Sequence, residues 1–242
     1  MAINQVTQNS PAFNVRYSAF LGMLYVSNPE TEELIKNAKE LAGGDAAVKK
    51  GFQGSKGDSP SAKAIHFLHE NNVTPVKVSG LLATARVIER EVEGRKTPYL
   101  TVGLKDDDGR YYISIDLSQS ASQMLARKLA NAEIGVFTEI GLFATYGQRP
   151  GANRAYANHG ATMKQNGVEV VSIDPKSTLA PRIDAAMKAL EDAGVSLEDK
   201  ETYAKRRAKV EVDFHLELMN TVNERVTAFY ESIEQPTDTV DD

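Results

Sequence analysis

Hydrophobic and polar positions alternate most clearly in two neighbouring segments of the chain. In residues 99–105 leucine or valine occupies every second position, and residues 111–117 repeat the pattern with tyrosine, isoleucine and leucine. This period of two is typical of a strand that is buried on one face. The pair Asp108 and Gly109 between the segments is a hairpin-turn signature. The pattern predicts two antiparallel strands joined by a short turn.

The segments on either side extend this β-rich region. Residues 76–93 are β-prone, and Gly80 within them favours a bend or bulge, as glycine inside a long strand often does. Residues 118–132 carry an apolar stripe at helical spacing. Two further β-prone stretches cover residues 134–147 and 154–173. The predicted order is three strands, a helix and two strands.

The N-terminal part combines one strand with helices. Residues 13–26 are apolar and β-prone, which predicts a strand. Asn28 before Pro29, and Ser59 before Pro60, are each typical of a helix start, with a capping side chain followed by proline in the first turn. We therefore expect one helix after each of these pairs.

The C-terminal part is predicted to be helical. One helix is expected over residues 181–193, and a second is expected to follow the segment from Ser196 to Asp199, which resembles a capping box, and to run to about residue 233. Apolar residues with 3,4 spacing form a seam on the second helix. We expect this seam to pack on its own chain, although packing on a second copy is the alternative. The seam consists of Met219, Val222, Val226, Phe229 and Ile233.

The order of elements predicts the fold class. Three strands, a helix and two strands is the order of the five-stranded OB barrel. We expect a β-rich α+β protein in which residues 76–173 form an OB-type barrel. Residues 1–75 would be an N-terminal elaboration packed on the barrel, residues 178–234 the long C-terminal helices, and residues 235–242 a disordered acidic tail.

Composition narrows the functional classes. The chain has no cysteine, which excludes disulfides, zinc fingers and thiol nucleophiles. It has no apolar run near the roughly 20 residues that a membrane span needs, and its N-terminus has no signal-peptide pattern, so we expect a cytoplasmic protein. No nucleophile–base arrangement and no phosphate-loop spacing occurs, and His66 with His69 lacks a third ligand. We therefore expect no enzyme, no cofactor and no metal site.

Four short segments give the chain a family resemblance. PYLTV at 98–102, DDGRY at 107–111, YANHGA at 156–161 and KQNG at 164–167 resemble bacteriophage single-stranded DNA-binding proteins, within a similarity over residues 76–170. The resemblance implies an OB fold and coating of single strands during phage replication or recombination. It also implies contacts with replication or recombination proteins through an acidic C-terminus.

Candidate binding residues combine positive charge with aromatic rings, because such proteins hold phosphates electrostatically and stack bases on rings. Residues 140–168 contain no acid, and Phe143 and Tyr146 fall on opposite strand faces, so one of them is expected to be available. Aromatic residues in strands also serve as packing residues, which is the competing interpretation. The candidates are Arg86, Arg90, Lys96, Tyr99, Lys105, Tyr112, Phe143, Tyr146, Arg149, Arg154, Tyr156, His159 and Lys164, with Arg95 beside Lys96.

Charge is distributed unevenly along the chain. The net charge is −5, yet the last twelve residues carry five acids and no base. The rest is therefore neutral, as expected of a binding body with an acidic tail. Two alternatives stay open: an oligomeric assembly protein without catalytic activity, and an RNA-binding OB protein. The tail residues expected to bind partners are Glu234, Asp238, Asp241 and Asp242.

Overall fold

Eight strands and six helices make up the part of the chain described by the computed structural model, namely residues 11–92, 94–148, 151 and 153–234. The strands are β1 (Ala12–Ser18), β2 (Met23–Ser27), β3 (Val78–Val92), β4 (Arg95–Lys105), β5 (Arg110–Asp116), β6 (Phe137–Gln148), β7 (Ala155–Gln165) and β8 (Val168–Glu169). The helices are α1 (Pro29–Leu41), α2 (Gly44–Lys49), α3 (Pro60–Glu70), α4 (Ser120–Leu129), α5 (Pro175–Asp192) and α6 (Lys200–Glu234).

All eight strands belong to one sheet, which confirms the mixed α+β class. The strand order is β2-β1-β5-β4-β3-β6-β7-β8, and β2 also pairs with β6. Pairing thus runs in a closed cycle through β3, β4, β5, β1, β2 and β6. The last contact is short: Met23 is in register with Phe143, and the Ala144 amide donates to the Gly22 carbonyl at 3.0 Å. β1 runs parallel to β5, whereas the other pairs are antiparallel.

The single strand predicted over residues 13–26 is wrong, because this segment forms the β1–β2 hairpin. The turn was hidden in the sequence because Phe20 and Leu21 within it are apolar and buried. Gly22 makes the turn possible: its φ is +66°, and a Cβ there would lie 2.6 Å from the Cβ of Ala144. The sheet therefore has three strands beyond the five that were predicted for the barrel, namely β1, β2 and β8.

Two other boundaries differ from prediction. The stretch 154–173 breaks into β7 and β8, because Asn166 and Gly167 both have positive φ and form a tight turn. α5 begins at Pro175, where the Asp174 side chain caps it, and not at 181. α6 begins at Lys200, directly after the segment 196–199 as expected, and Asp199 Oδ2 accepts from the Thr202 amide at 2.7 Å.

The predicted helix starts at α1 and α3 are confirmed. Asn28 accepts from the Thr31 amide at 2.8 Å, and Ser59 accepts from the Ala62 amide at 3.1 Å. The irregularity expected near Gly80 is also confirmed. Its φ is +148°, a Cβ there would lie 2.6 Å from the Lys105 carbonyl oxygen, and the β3–β4 register shifts between Leu82 and Thr84.

The apolar interior falls into three clusters. The largest lies inside the sheet and contains the inward side chains of β3–β7 with α4 and α6, including Leu100, Ile113 and Leu125. A second cluster holds α1–α3 against the β1–β2 hairpin. A third joins α5 to α6. Among the described residues no helix is long and apolar enough to cross a membrane.

The seam on α6 packs within its own chain. Met219, Val222 and Val226 are buried in the largest cluster, whereas Ile233 is 61% exposed. Polar contacts fix the same end of the helix: Tyr230 Oη donates to the Leu82 carbonyl at 3.0 Å. The buried seam residues Met219, Val222 and Val226 therefore serve tertiary packing.

Replacing Met219 by alanine should lower the free energy of unfolding by about 2–5 kcal/mol, because it leaves a cavity in the main cluster. The matched change Ile233→Ala, on the same seam, should change it by no more than about 0.5 kcal/mol. Urea unfolding of both variants at two protein concentrations measures this. A wild-type midpoint that rises with concentration would instead place the seam between two copies.

Candidate nucleic-acid interface

The two alternating segments place their polar positions on the outside of the sheet. On β4, Leu100, Val102 and Leu104 are fully buried, while the intervening positions face outward. β5 follows the same alternation, with Ile113 and Ile115 inside. The pairing register between neighbouring strands determines which outward-facing residues lie next to each other.

One row of four side chains crosses four strands. Arg16 of β1 is in register with Ser114 of β5, Ser114 with Thr101 of β4, and Thr101 with Arg86 of β3. Neighbouring strands lie about 4.8 Å apart, so the row is about 14 Å long. Two hydroxyls therefore lie between two exposed arginines.

These hydroxyls have no hydrogen-bond partner within the described part of the chain. Thr101 Oγ1 and Ser114 Oγ are both covered and unpaired. The Arg16 guanidinium lies 3.3 Å from the Glu32 carboxylate, whereas Arg86 forms no ion pair with any described residue. An unpaired buried hydroxyl costs about 1–3 kcal/mol, so folding alone does not favour this arrangement.

Two tyrosines flank the row, each two residues from it along a strand. The Tyr112 ring lies against Gly103, where a Cβ would come within 3.1 Å of Tyr112 Cε1. On the other side the Arg90 guanidinium lies 4.9 Å from the centre of the Tyr99 ring, a cation–π contact. We call this surface the outer face; it consists of Arg16, Arg86, Arg90, Tyr99, Thr101, Tyr112 and Ser114.

A cleft of about 250 Å³ adjoins the outer face at Tyr112. Lys105 and Arg110 are in register with each other at its edge, so two cations lie side by side. Tyr230 of α6 also lines this cleft. Of the predicted residues, Arg86, Arg90, Tyr99, Lys105 and Tyr112 are thus brought together.

The other candidates lie elsewhere. Lys96 pairs with Glu89 at 3.4 Å. Lys164 is in register with Glu139 on one side and Glu169 on the other, so acids flank it. Arg154 is exposed just before β7, and Arg149 lies outside the described residues, as do Asp238, Asp241 and Asp242. Glu234 is the last residue of α6.

The aromatic residues of the β6–β7 hairpin form a separate group. Phe143 and Tyr146 do fall on opposite faces, but both are exposed, at 38% and 46%, so the expectation that only one is available is wrong. Tyr146 lies in the exposed end of β6, residues 145–148, whereas the Phe143 ring lies over Gly160. Tyr146 and Tyr156 line a shallow surface depression with Phe52.

His159 has a partner inside the protein. Its Nδ1 lies 2.7 Å from Tyr17 Oη, and Tyr17 also donates to the Phe143 carbonyl at 3.1 Å. Burial lowers the pKa of His159. His159 therefore contributes to packing between β1 and β7.

A second cleft of about 440 Å³ lies between α4 and β7. Its cation is Arg127, whose Nη1 donates to His215 Nε2 at 3.0 Å. His215 Nδ1 in turn donates to the Glu211 carbonyl at 2.5 Å. His215 is fully buried, and burial lowers its pKa to about 4. Both bonds therefore involve a neutral imidazole.

The sequence interpretation missed Arg16 and Arg127. Arg16 sits between inward-facing Val15 and Tyr17, and would have been found if residues 12–18 had been taken as a strand of their own. No local sequence pattern indicates Arg127, because its partner His215 is 88 residues away along the chain.

Comparison of the chain with protein-family models, with curated proteins and with solved structures gives no match. Among the described residues, no group of three or more His, Asp or Glu is placed to hold a metal ion. The chemistry of the outer face and of the two clefts is therefore what bears on function.

Replacing Thr101 by valine should leave the free energy of unfolding unchanged or raise it by about 1 kcal/mol, because it removes a buried, unpaired hydroxyl. The control is Thr138→Val, since Thr138 Oγ1 donates to the Val136 carbonyl at 2.9 Å and accepts from Gln165 at 3.1 Å. That variant should lose about 1–2 kcal/mol. Denaturant unfolding compares them; an equal loss in both would show that Thr101 is satisfied.

Acid should destabilise the wild type through His215. Its pKa is lower in the folded chain than in the unfolded chain, so between about pH 6.5 and pH 4 the unfolded state binds more protons and stability falls as pH falls. We expect His215→Gln to remove about 1–3 kcal/mol of the loss between pH 7 and pH 4.5. Unfolding at several pH values measures the difference in stability between the wild type and His215→Gln. The carboxylates and His159 are the same in both proteins, so their contributions cancel. Parallel pH profiles would contradict the assignment.

Proposed function

We propose that the protein binds single-stranded DNA without sequence preference at the outer face, and coats it during phage replication or recombination. The observation that carries the proposal is the grouping on this face: two tyrosines flank a row of two unpaired hydroxyls between two arginines. Rings stack on unpaired bases, and arginines hold phosphates. The two hydroxyls between the arginines are covered, so the tyrosines and arginines are the groups that can reach a strand.

We also propose that β3–β7 with α4 form an OB-type barrel. Support comes from the order of three strands, a helix and two strands, and from β3 pairing with both β4 and β6. The strand 2–3 face of such a barrel corresponds to β4 and β5, and is where OB proteins bind oligonucleotides. The chain departs from a five-stranded barrel in that its cycle of pairing passes through β1 and β2.

RNA binding is the second candidate function. The tyrosines and arginines of the outer face can stack on the bases and hold the phosphates of single-stranded RNA as well as of DNA. The assembly-protein alternative is less well supported, because Met219, Val222 and Val226 are buried within the chain. The tail contact with replication proteins stays a prediction, since residues 235–242 lie outside the described residues.

Fluorescence anisotropy with labelled oligo-dT, oligo-rU and duplex DNA at two salt concentrations tests the proposal. We expect oligo-dT to bind more tightly than duplex, with affinity falling steeply as salt rises. Tyr99→Ala and Tyr112→Ala should each lose about 1–3 kcal/mol with little change in the salt dependence. Arg86→Ala should reduce the log–log salt slope by about one.

Matched controls are Tyr203→Ala and Arg206→Ala, which remove exposed side chains on α6. Both should bind like the wild type. Equal affinity for duplex would contradict stacking on unpaired bases, and tighter binding of oligo-rU would favour RNA. If Tyr156→Ala weakens binding while Tyr99→Ala and Tyr112→Ala do not, the outer face is the wrong surface.

A further inference from the structure

Arg127 is a half-buried cation that forms no ion pair with a described carboxylate. Glu211 acts on its charge but is itself paired with Arg207 at 2.8 Å. Burial lowers the pKa of Arg127. A partly desolvated guanidinium that shares its one nearby counter-charge with a second arginine is stabilised when a further anion binds it.

The surroundings of Arg127 hold Nη1 in place and leave Nη2 without a described acceptor. Nη1 donates to the neutral imidazole of His215, whose other nitrogen is fixed by the α6 backbone. Nε is covered and has no hydrogen-bond partner. Because Arg127 lines the cleft, Nη2 is the nitrogen that remains to donate to a phosphate oxygen there.

The rest of the cleft suits a nucleotide. Ser120 and Gln123 of α4 supply polar groups, and Phe143 supplies an exposed ring on the opposite wall. Gly160 makes room for this ring: a Cβ there would lie 2.8 Å from Phe143 Cζ. Cation, hydrogen-bonding groups and aromatic ring thus line one cavity.

We propose that this cleft binds one nucleotide of the single strand, with its phosphate on Arg127 and its base against Phe143. The proposal rests on the proposed function, because it assigns a second contact to the same ligand. We favour a nucleotide phosphate over a peptide carboxylate as the ligand. The Phe143 ring lies in the same cleft as the cation and can stack on a base, whereas an acidic peptide has no base to stack. His215 is a positioning residue that holds the guanidinium.

Arg127→Met, Arg127→Lys and Gly160→Ala test the site in the full chain. The probes are inorganic phosphate, thymidine 5′-monophosphate and oligo-dT, with thermal shift and anisotropy as readouts. Both phosphate and the nucleotide should raise the melting temperature of the wild type. Arg127→Met should lose both stabilising effects and bind oligo-dT about tenfold more weakly, with a salt slope lower by about one.

The other two variants separate the parts of the site. Arg127→Lys keeps the charge and should retain most of the response to inorganic phosphate. Gly160→Ala should displace the Phe143 ring, which is the free end of a side chain, and weaken binding of the nucleotide while leaving inorganic phosphate unaffected. If Arg127→Met melts early, Arg127→Lys and Gly160→Ala still decide the assignment.

The outcomes distinguish this site from the outer face. If oligo-dT binds the wild type and Arg127→Met equally, this inference is wrong and the proposed function stands. If oligo-dT does not bind but the nucleotide binds and requires Arg127, the proposed function is wrong and the cleft is a mononucleotide site. Stabilisation by polyglutamate but not by the nucleotide would overturn the phosphate assignment.

Discussion

The parallel pairing of β1 with β5 is the constraint on which the rest of the structure depends. It joins the N-terminal segment to the central strands, and through β2 it completes the cycle of pairing at Met23 and Phe143. The same register sets Arg16 beside Ser114 and brings Tyr17 to His159. α1–α3 can then pack on the hairpin and form the second apolar cluster. Closure of the sheet and assembly of the outer face are thus consequences of one strand pair.

Most of the local structure could be predicted from the sequence, and the long-range pairing could not. The alternation in residues 99–105, the cap at Asn28 and the Asp108–Gly109 turn depend on neighbours in the chain, so short patterns reveal them. The β1–β2 turn escaped because its apolar residues are buried on the second cluster, which makes a turn look like a continuous strand. Parallel pairing of β1 with β5 has no local signature, because nearly 100 residues separate the partners.

The candidate site shows the same difference between features that local patterns predict and features that depend on long-range contacts. Tyr99, Lys105 and Tyr112 were predicted from alternation alone, and register brings them together with Arg86. Arg16 and Arg127 depend on contacts with distant segments. The net charge of −5 does not indicate these arginines, because the outer face gathers its cations from two distant strands, β1 and β3, while many acids form ion pairs on helices. Local arrangement, more than total charge, determines where a polyanion is attracted.

The length of α6 has a consequence for ligand size. Tyr230 lines the cleft beside the outer face, and His215 holds Arg127 in the other cleft. These two residues are fifteen positions apart on one uninterrupted helix, which fixes their separation at about 22 Å along its axis. A strand that reaches both clefts must span that distance, on the order of six nucleotides at the stacked spacing of about 3.4 Å. Under the proposed function, α6 thereby sets a minimum length of bound strand, below which an oligonucleotide would reach one cleft but not both.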